Sequence, residues 1–171
     1  MAINSAAMAT QCSSLMINHQ VYLGLGSNLG DKEWNLSEAI RLIGEKVGEV
    51  LRQSSFIETE PWGFESENRF LNAVILCQTE KTPREVLTLT QQIERDLGKC
   101  KEHATQRSQI VNSKSSNSKS SNCKYADRPI DIDILLYDDW TVDEPDLKIP
   151  HPLMHQRDFV MIPLKQITNT F

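Results

Sequence analysis

Two aspartates, Asp131 and Asp133, sit two apart in RPIDIDILLY, residues 128–137, a run whose other members are mostly apolar. Such a composition reads as a buried strand over 130–136. Side chains alternate across a strand, so Ile130, Ile132, Ile134 and Leu136 are expected on one continuous apolar face. Asp131 and Asp133 then point the other way together, with Cα atoms roughly 6.5–7 Å apart. Two like charges so close on a half-buried surface repel one another and lose hydration, so something cationic should offset them. Solvated acids on an edge strand or acids paired with a nearby arginine would satisfy this condition. So would divalent metal, because carboxylate oxygens are the ligands Mg²⁺ prefers and this spacing can serve two ions.

Other residues could contribute chemistry. In IPHPLMHQRDF, His151 and His155 stand at i, i+4, a spacing that can hold metal on a helix, although Pro150 and Pro152 put His151 at a loop or helix start. Arg157 suits bidentate phosphate binding, and Phe159 suits packing or ring stacking. The glycines of GLGSNLG, at 24, 26 and 30, are spaced one residue too widely for a dinucleotide fingerprint. They read as a tight strand-to-helix turn in which Asn28 and Asp31 make local hydrogen bonds.

These residues need elements to position them. A short buried strand is expected at 20–25, ended by the glycines. Asp31 opens a helix to about Lys46, with Leu36, Ile40, Ile43 and Val47 as its stripe, weakened at its end by Gly44 and Gly48. VLRQSSFIETEP reads as one strand stopped by Pro61. RFLNAVILCQTE reads as another, with Phe70, Asn72, Val74 and Leu76 on one face. Thr82, Pro83 and Glu85 form a capping box at the head of a second helix, whose stripe is Val86, Leu89, Ile93 and Leu97 and which Gly98 ends. The order β-α-β-β-α-β predicts an α+β, ferredoxin-like sandwich, its antiparallel sheet covered by helices on one face and free on the other for a site.

The 171 residues suit one domain, expected over 20–171 after a disordered tail at 1–19. Residues 99–127 have no periodicity, and their centre, NSKSSNSKSSN, is low-complexity. A mobile basic loop is predicted there, leading into the two-aspartate strand. A net charge of −5 gives no global argument for nucleic acid, and no apolar run approaches a membrane span. The four cysteines show no framework spacing and read as reduced thiols of a cytoplasmic protein.

Five stretches in order, LGSNLGD, SSFIETEPWG, RFLNAV, RPIDIDILLY and IPHPLMHQRDFVMIPL, together resemble the 6-hydroxymethyl-7,8-dihydropterin pyrophosphokinases of folate biosynthesis. The resemblance implies a ferredoxin-like fold and transfer of diphosphate from ATP to the pterin hydroxymethyl group, with release of AMP. It implies that Asp131 and Asp133 hold two Mg²⁺ and that Arg128 and Lys101 act with them in catalysis. It assigns the pterin to Phe70 and Phe159 as stacking rings, Asn72 as reader of the amino-oxo edge, and Thr59, Trp62 and Tyr125. It assigns ATP to Gln91, Glu94, Lys101, Arg128, Ile134, His151 and Arg157. Lys99 and Lys101 stand where the family often has phosphate-clamping arginines, and Pro152 where an aromatic can hold the adenine. The partners implied are small molecules only, on a monomeric enzyme.

Overall fold

The computed structural model describes residues 18–63, 66–99 and 127–168. Strand β1 (His19–Ser27) leads to helix α1 (Lys32–Lys46), then β2 (Glu49–Gln53), β3 (Ile57–Thr59), β4 (Phe70–Thr79) and α2 (Pro83–Glu94). A wide turn, Arg95–Lys99, follows α2. Strand β5 (Asp131–Tyr137), the hairpin β6 (Val142–Glu144) and β7 (Leu147–Ile149), and helix α3 (Asp158–Thr168) complete the described chain. The main sheet runs β2-β4-β1-β5 with every neighbour antiparallel, and β3 pairs with β4 beyond β2. With β2 and β3 sharing one strand's place, this is the expected α+β, ferredoxin-like arrangement.

The helices form where the sequence puts them. Asp31 caps α1 by accepting from Trp34 N, and Thr82 and Glu85 close the capping box of α2, a device that contributes about 1 kcal/mol. The buried stripes of both helices meet Val21, Leu23 and Leu25 of β1 and Ile130, Ile132 and Ile134 before and within β5, making the main core. Gly48 follows α1 rather than weakening it. A Cβ there would lie 2.1 Å from Gln78 O, so only glycine lets β2 enter beside β4.

Several expectations change. The strand expected at 20–25 runs on through Gly26 to Ser27, and it begins at His19, the last residue of the expected tail. The single strand expected before Pro61 divides into β2 and β3, because the Ser54 hydroxyl accepts the Val74 N–H and takes a ladder position at the break. Leu136 does not join Ile130, Ile132 and Ile134. A bulge lets Leu23 pair with Ile134 and Tyr22 with Leu136, so Leu135 is the extra residue and the alternation shifts. Beyond the bulge, Leu135 and Leu136 pack in a second cluster while Tyr137 returns to the main core. The second sheet face is not left free either. Helix α3 covers part of it, packing Val160, Leu164 and Ile167 on Val74, Leu76 and Leu135. The hairpin β6–β7 adds a second, two-stranded sheet that the expected element order lacks.

Candidate active site

The uncovered part of the second face is a cleft of about 350 Å³. Its floor follows from strand register. Gly26 of β1 lies between Asp131 of β5 and Asn72 of β4, and Gly24 lies between Asp133 and Val74. A Cβ on Gly26 would lie 3.0 Å from Asn72 Oδ1 and 3.6 Å from the Phe70 ring. The central strand therefore carries no side chain where its neighbours carry polar and aromatic ones. The result is a trough between Asp131 and Asn72, which stand two strand spacings apart, about 10 Å. The sequence of these glycines reads as a turn, whereas in the fold they are strand residues. Their i, i+2 spacing on a strand was the signal that they open one face.

The acidic wall is β5. Asp131 and Asp133 both face the cleft, as alternation predicts. Arg128 Nη2 stands 3.4 Å from Asp131 Oδ2, and Arg157 Nη1 stands 3.5 Å from Asp133 Oδ2. Burial pushes the Asp133 carboxyl up to about 6, and the neighbouring Asp131 charge adds to this, while Arg157 and Arg128 pull the other way. Its side chain nonetheless keeps 40% exposure into the cleft. Arg128 Nε is buried and has no hydrogen-bond partner among the described residues.

The opposite wall is aromatic. Phe70, Trp62 and Phe159 line the cleft with Thr59 and Asn72. Asn72 Nδ2 donates to Thr59 Oγ1 at 2.8 Å, which fixes the amide plane. The Trp62 and Phe159 rings meet edge to face with centroids 6.4 Å apart. The Arg157 guanidinium lies 4.9 Å from the Trp62 centroid and 5.6 Å from that of Phe159, and Arg128 lies 5.9 Å from that of Phe70. Each arginine therefore joins one aromatic surface to one aspartate.

His151 lines the cleft, whereas His155 is exposed on the short turn Met154–Gln156, so the two do not form a metal pair. Burial, with the Arg157 charge beside it, holds the His151 imidazole below its usual range. Leu153 N donates to its Nδ1 at 3.3 Å, which leaves Nε2–H as the outward donor. Among the described residues, no three of His, Cys, Asp and Glu cluster as a metal site.

Arg128, Asp131, Asp133, Thr59, Trp62, Phe70, Asn72, His151, Arg157 and Phe159 thus converge on one cleft. Gln91, Glu94 and Ile134 do not line it. Gln91 is exposed on α2. Glu94 is buried, and its Oε1 accepts the Ile132 N–H at 2.9 Å. The Ile134 side chain packs in the main core. Lys101 and Tyr125 lie outside the described residues, as does most of the predicted 99–127 loop. That loop's last residue, Asp127, is described and well tied. Its carboxylate accepts from Asn28 Nδ2 at 2.6 Å, Ser66 Oγ at 2.7 Å and Asn68 Nδ2 at 2.8 Å. The hydrogen bonds expected locally at Asn28 are therefore long-range, and no spacing rule pointed to them.

The model of the 7,8-dihydro-6-hydroxymethylpterin-pyrophosphokinase (HPPK) family matches residues 22–169. The chain is similar to the 2-amino-4-hydroxy-6-hydroxymethyldihydropteridine pyrophosphokinase of Porphyromonas gingivalis, 47% identical over 148 residues, covering 86% of this chain and 89% of the relative. To the protein of the same name from Bacillus subtilis it is 35% identical over 152 residues, covering 88% and 79%. A crystal structure of Plasmodium falciparum HPPK-DHPS superposes with a TM-score of 0.60 at 16% identity, covering 90% of this chain and 41% of that one. The chain spans about two fifths of that longer polypeptide, and the likeness bears on the fold alone.

Proposed function

The chain belongs to the 7,8-dihydro-6-hydroxymethylpterin-pyrophosphokinase family, and from that premise we propose how its cleft carries out the family reaction. The reaction is pyrophosphoryl transfer from ATP to hydroxymethyldihydropterin in folate biosynthesis. The pterin hydroxyl oxygen bonds to the β-phosphorus, the bond from that phosphorus to the oxygen bridging it to the α-phosphorus breaks, and AMP leaves as the hydroxyl proton is lost.

The pterin lies on the aromatic wall, stacked by Phe70 and Phe159 beneath Trp62, an arrangement that adds about 0.5–1.5 kcal/mol to burial. Asn72, its plane held by Thr59, meets the amino-oxo edge with one acceptor and one remaining donor hydrogen. The triphosphate lies along β5. Asp131 and Asp133 fit Mg²⁺, because both present carboxylate oxygens to the cleft, and two carboxylates with substrate phosphates are the set Mg²⁺ commonly accepts. When bound, two such ions would neutralise the phosphate oxygens and the charge that develops on the leaving AMP. Arg128 and Arg157 orient the phosphate chain and supply charge where the two substrates meet. His151, neutral at pH 7, donates Nε2–H to the nucleotide. Exposed Gln91 on α2 and Ile134 are assigned to the nucleotide by the family resemblance, although neither lines the cleft. Glu94, through its bond to Ile132 N, holds the strand between the two aspartates.

No helix among the described residues is long and apolar enough to cross a membrane. Buried, free Cys77 suits the reducing cytoplasm this reading assumes, and a monomer is assumed with it, which light scattering tests. The observation that carries the reading is the facing pair of walls, carboxylates on β5 against Phe70 and Asn72 of β4, Trp62 after β3 and Phe159 of α3, across a glycine floor. The test is AMP release from ATP and Mg²⁺ with and without 6-hydroxymethyl-7,8-dihydropterin. Release only with the pterin is expected. Release without it would make water the acceptor and remove the aromatic wall from the reaction.

A further inference from the structure

Arg128 reaches the cleft from an unusual place. The ladder between β1 and β5 ends at Gly26 and Asp131, and Pro129, between Arg128 and that end, has no N–H to extend it. The pairing is instead rebuilt around one asparagine. Arg128 N donates to Asn28 Oδ1 at 2.8 Å, and Asn28 N donates to Arg128 O at 3.2 Å. Both backbone polar atoms of Arg128 are thus held by Asn28. The remaining polar group of that side chain, Nδ2, donates to Asp127 Oδ1 at 2.6 Å. Asp127 in turn collects Ser66 and Asn68 from the segment preceding β4. Burial alone would raise its carboxyl, but the bonds from Ser66, Asn68 and Asn28 outweigh that and hold it low.

We propose that Asp127 is a positioning residue for the transfer step: through Asn28 it fixes the Arg128 backbone so that the guanidinium stands between Asp131 and Phe70. The inference rests on the reading of Arg128 as a phosphate-orienting group. It differs from anything implied by residue types alone, because an aspartate beside a triphosphate site would otherwise only repel the nucleotide. Here its charge is spent on donors from two other segments. An amide plane locked at Asn28 also explains why a residue beyond the last ladder pair is ordered enough to aim a long side chain.

A double-mutant cycle tests this, with Asp127→Ala, Arg128→Ala and the pair assayed for kcat and KM. If Asp127 acts through Arg128, D127A lowers kcat about tenfold and R128A about a hundredfold, and the pair falls within twofold of R128A. A merely structural Asp127 would give losses that multiply to about a thousandfold in the pair, and that result overturns the proposal. So does a D127A enzyme with kcat within twofold of the wild type while R128A is slow. An R128A enzyme at full kcat would instead remove Arg128 from the transfer step, and the proposal falls with that reading. Should D127A not fold by circular dichroism, Asp127→Asn runs through the same cycle. It keeps an acceptor for Asn28 and Ser66, so about a threefold loss is expected, disappearing in the R128A background. A threefold loss that persists there overturns the proposal equally.

Discussion

Strands β1 and β5 carry acids at both ends of their pairing, and the two ends are built on opposite terms. At the far end, Asp138 Oδ2 lies 2.6 Å from His19 Nδ1, its Oδ1 accepts Gln20 N at 2.6 Å, and the Tyr137 hydroxyl donates to Lys81 O at 2.6 Å. Trp140 closes over His19 and Tyr137, with centroids 5.3 and 5.2 Å away. At the cleft end, arginine nitrogens stand 3.4 and 3.5 Å from Asp131 and Asp133, and burial and mutual repulsion push Asp133 up to about 6. One end holds a carboxylate where its partners already satisfy it. The other raises the Asp133 carboxyl by burying it beside a second carboxylate, in a space open to a ligand. The far end therefore serves the fold, and the cleft end is the one whose carboxylates a ligand can reach.

The largest effect expected from breaking this contrast is at the cleft. Asp131→Asn and Asp133→Asn should each lower kcat by more than about a hundredfold, because in the proposed reaction each holds cationic charge that offsets the transferring phosphates. Circular dichroism should be unchanged. Turnover at the wild-type rate in saturating Mg²⁺ would place the working carboxylates elsewhere. Next, Asn72→Ala should weaken pterin binding about tenfold or more, because an unpaired buried polar edge costs about 1–3 kcal/mol. ATP affinity should hold, and calorimetric titration of each ligand separates the two. Equal losses would make Asn72 a structural residue like Asp138.

At the far end the expectation inverts. Asp138→Ala should leave kcat within twofold but lower stability by about 1–2 kcal/mol, the worth of hydrogen bonds to a partly exposed carboxylate. Asp138 also has φ 43°, a conformation Asp and Asn tolerate better than Ala. Asp138→Asn should therefore recover part of the loss in a urea melt.

The smallest effect sharpens the comparison most. Because the folded value of Asp133 is raised above 3.8, the folded protein holds that proton more tightly than the unfolded chain. The contribution is complete below about pH 4 and is lost as pH rises to about 6. Asp133→Asn should thus stabilise the unliganded protein at pH 7 by about 1 kcal/mol, a figure discounted for the side chain's exposure, while removing activity. The advantage over wild type should shrink as pH falls from 6 towards 4. Taking the difference between variants removes the opposite pull of carboxylates with lowered values, such as Glu58, Glu85 and Asp96. A destabilised Asp133→Asn protein at pH 7 would mean that this end is as well satisfied as the other.

The sequence by itself determined what local pattern can encode. Alternation placed Asp131 with Asp133, and Phe70 with Asn72, each pair together on one face of its own strand. Cap chemistry at Asp31 and Thr82 set the starts of both long helices, because a cap is settled within four residues. Element order limited the topology, and the family resemblance supplied roles no spacing could. Only the tertiary structure decided what depends on partners far along the chain. Gly24 and Gly26 became a floor because β4 and β5 flank β1. The bulge at Leu135 shifted the strand's phase, and α3 divided a face expected to be empty. Asn28 bonds Asp127 and Arg128, about a hundred residues away. Each of these is a contact between segments whose separation in sequence carries no periodic signal, so it comes into being only when the sheet assembles.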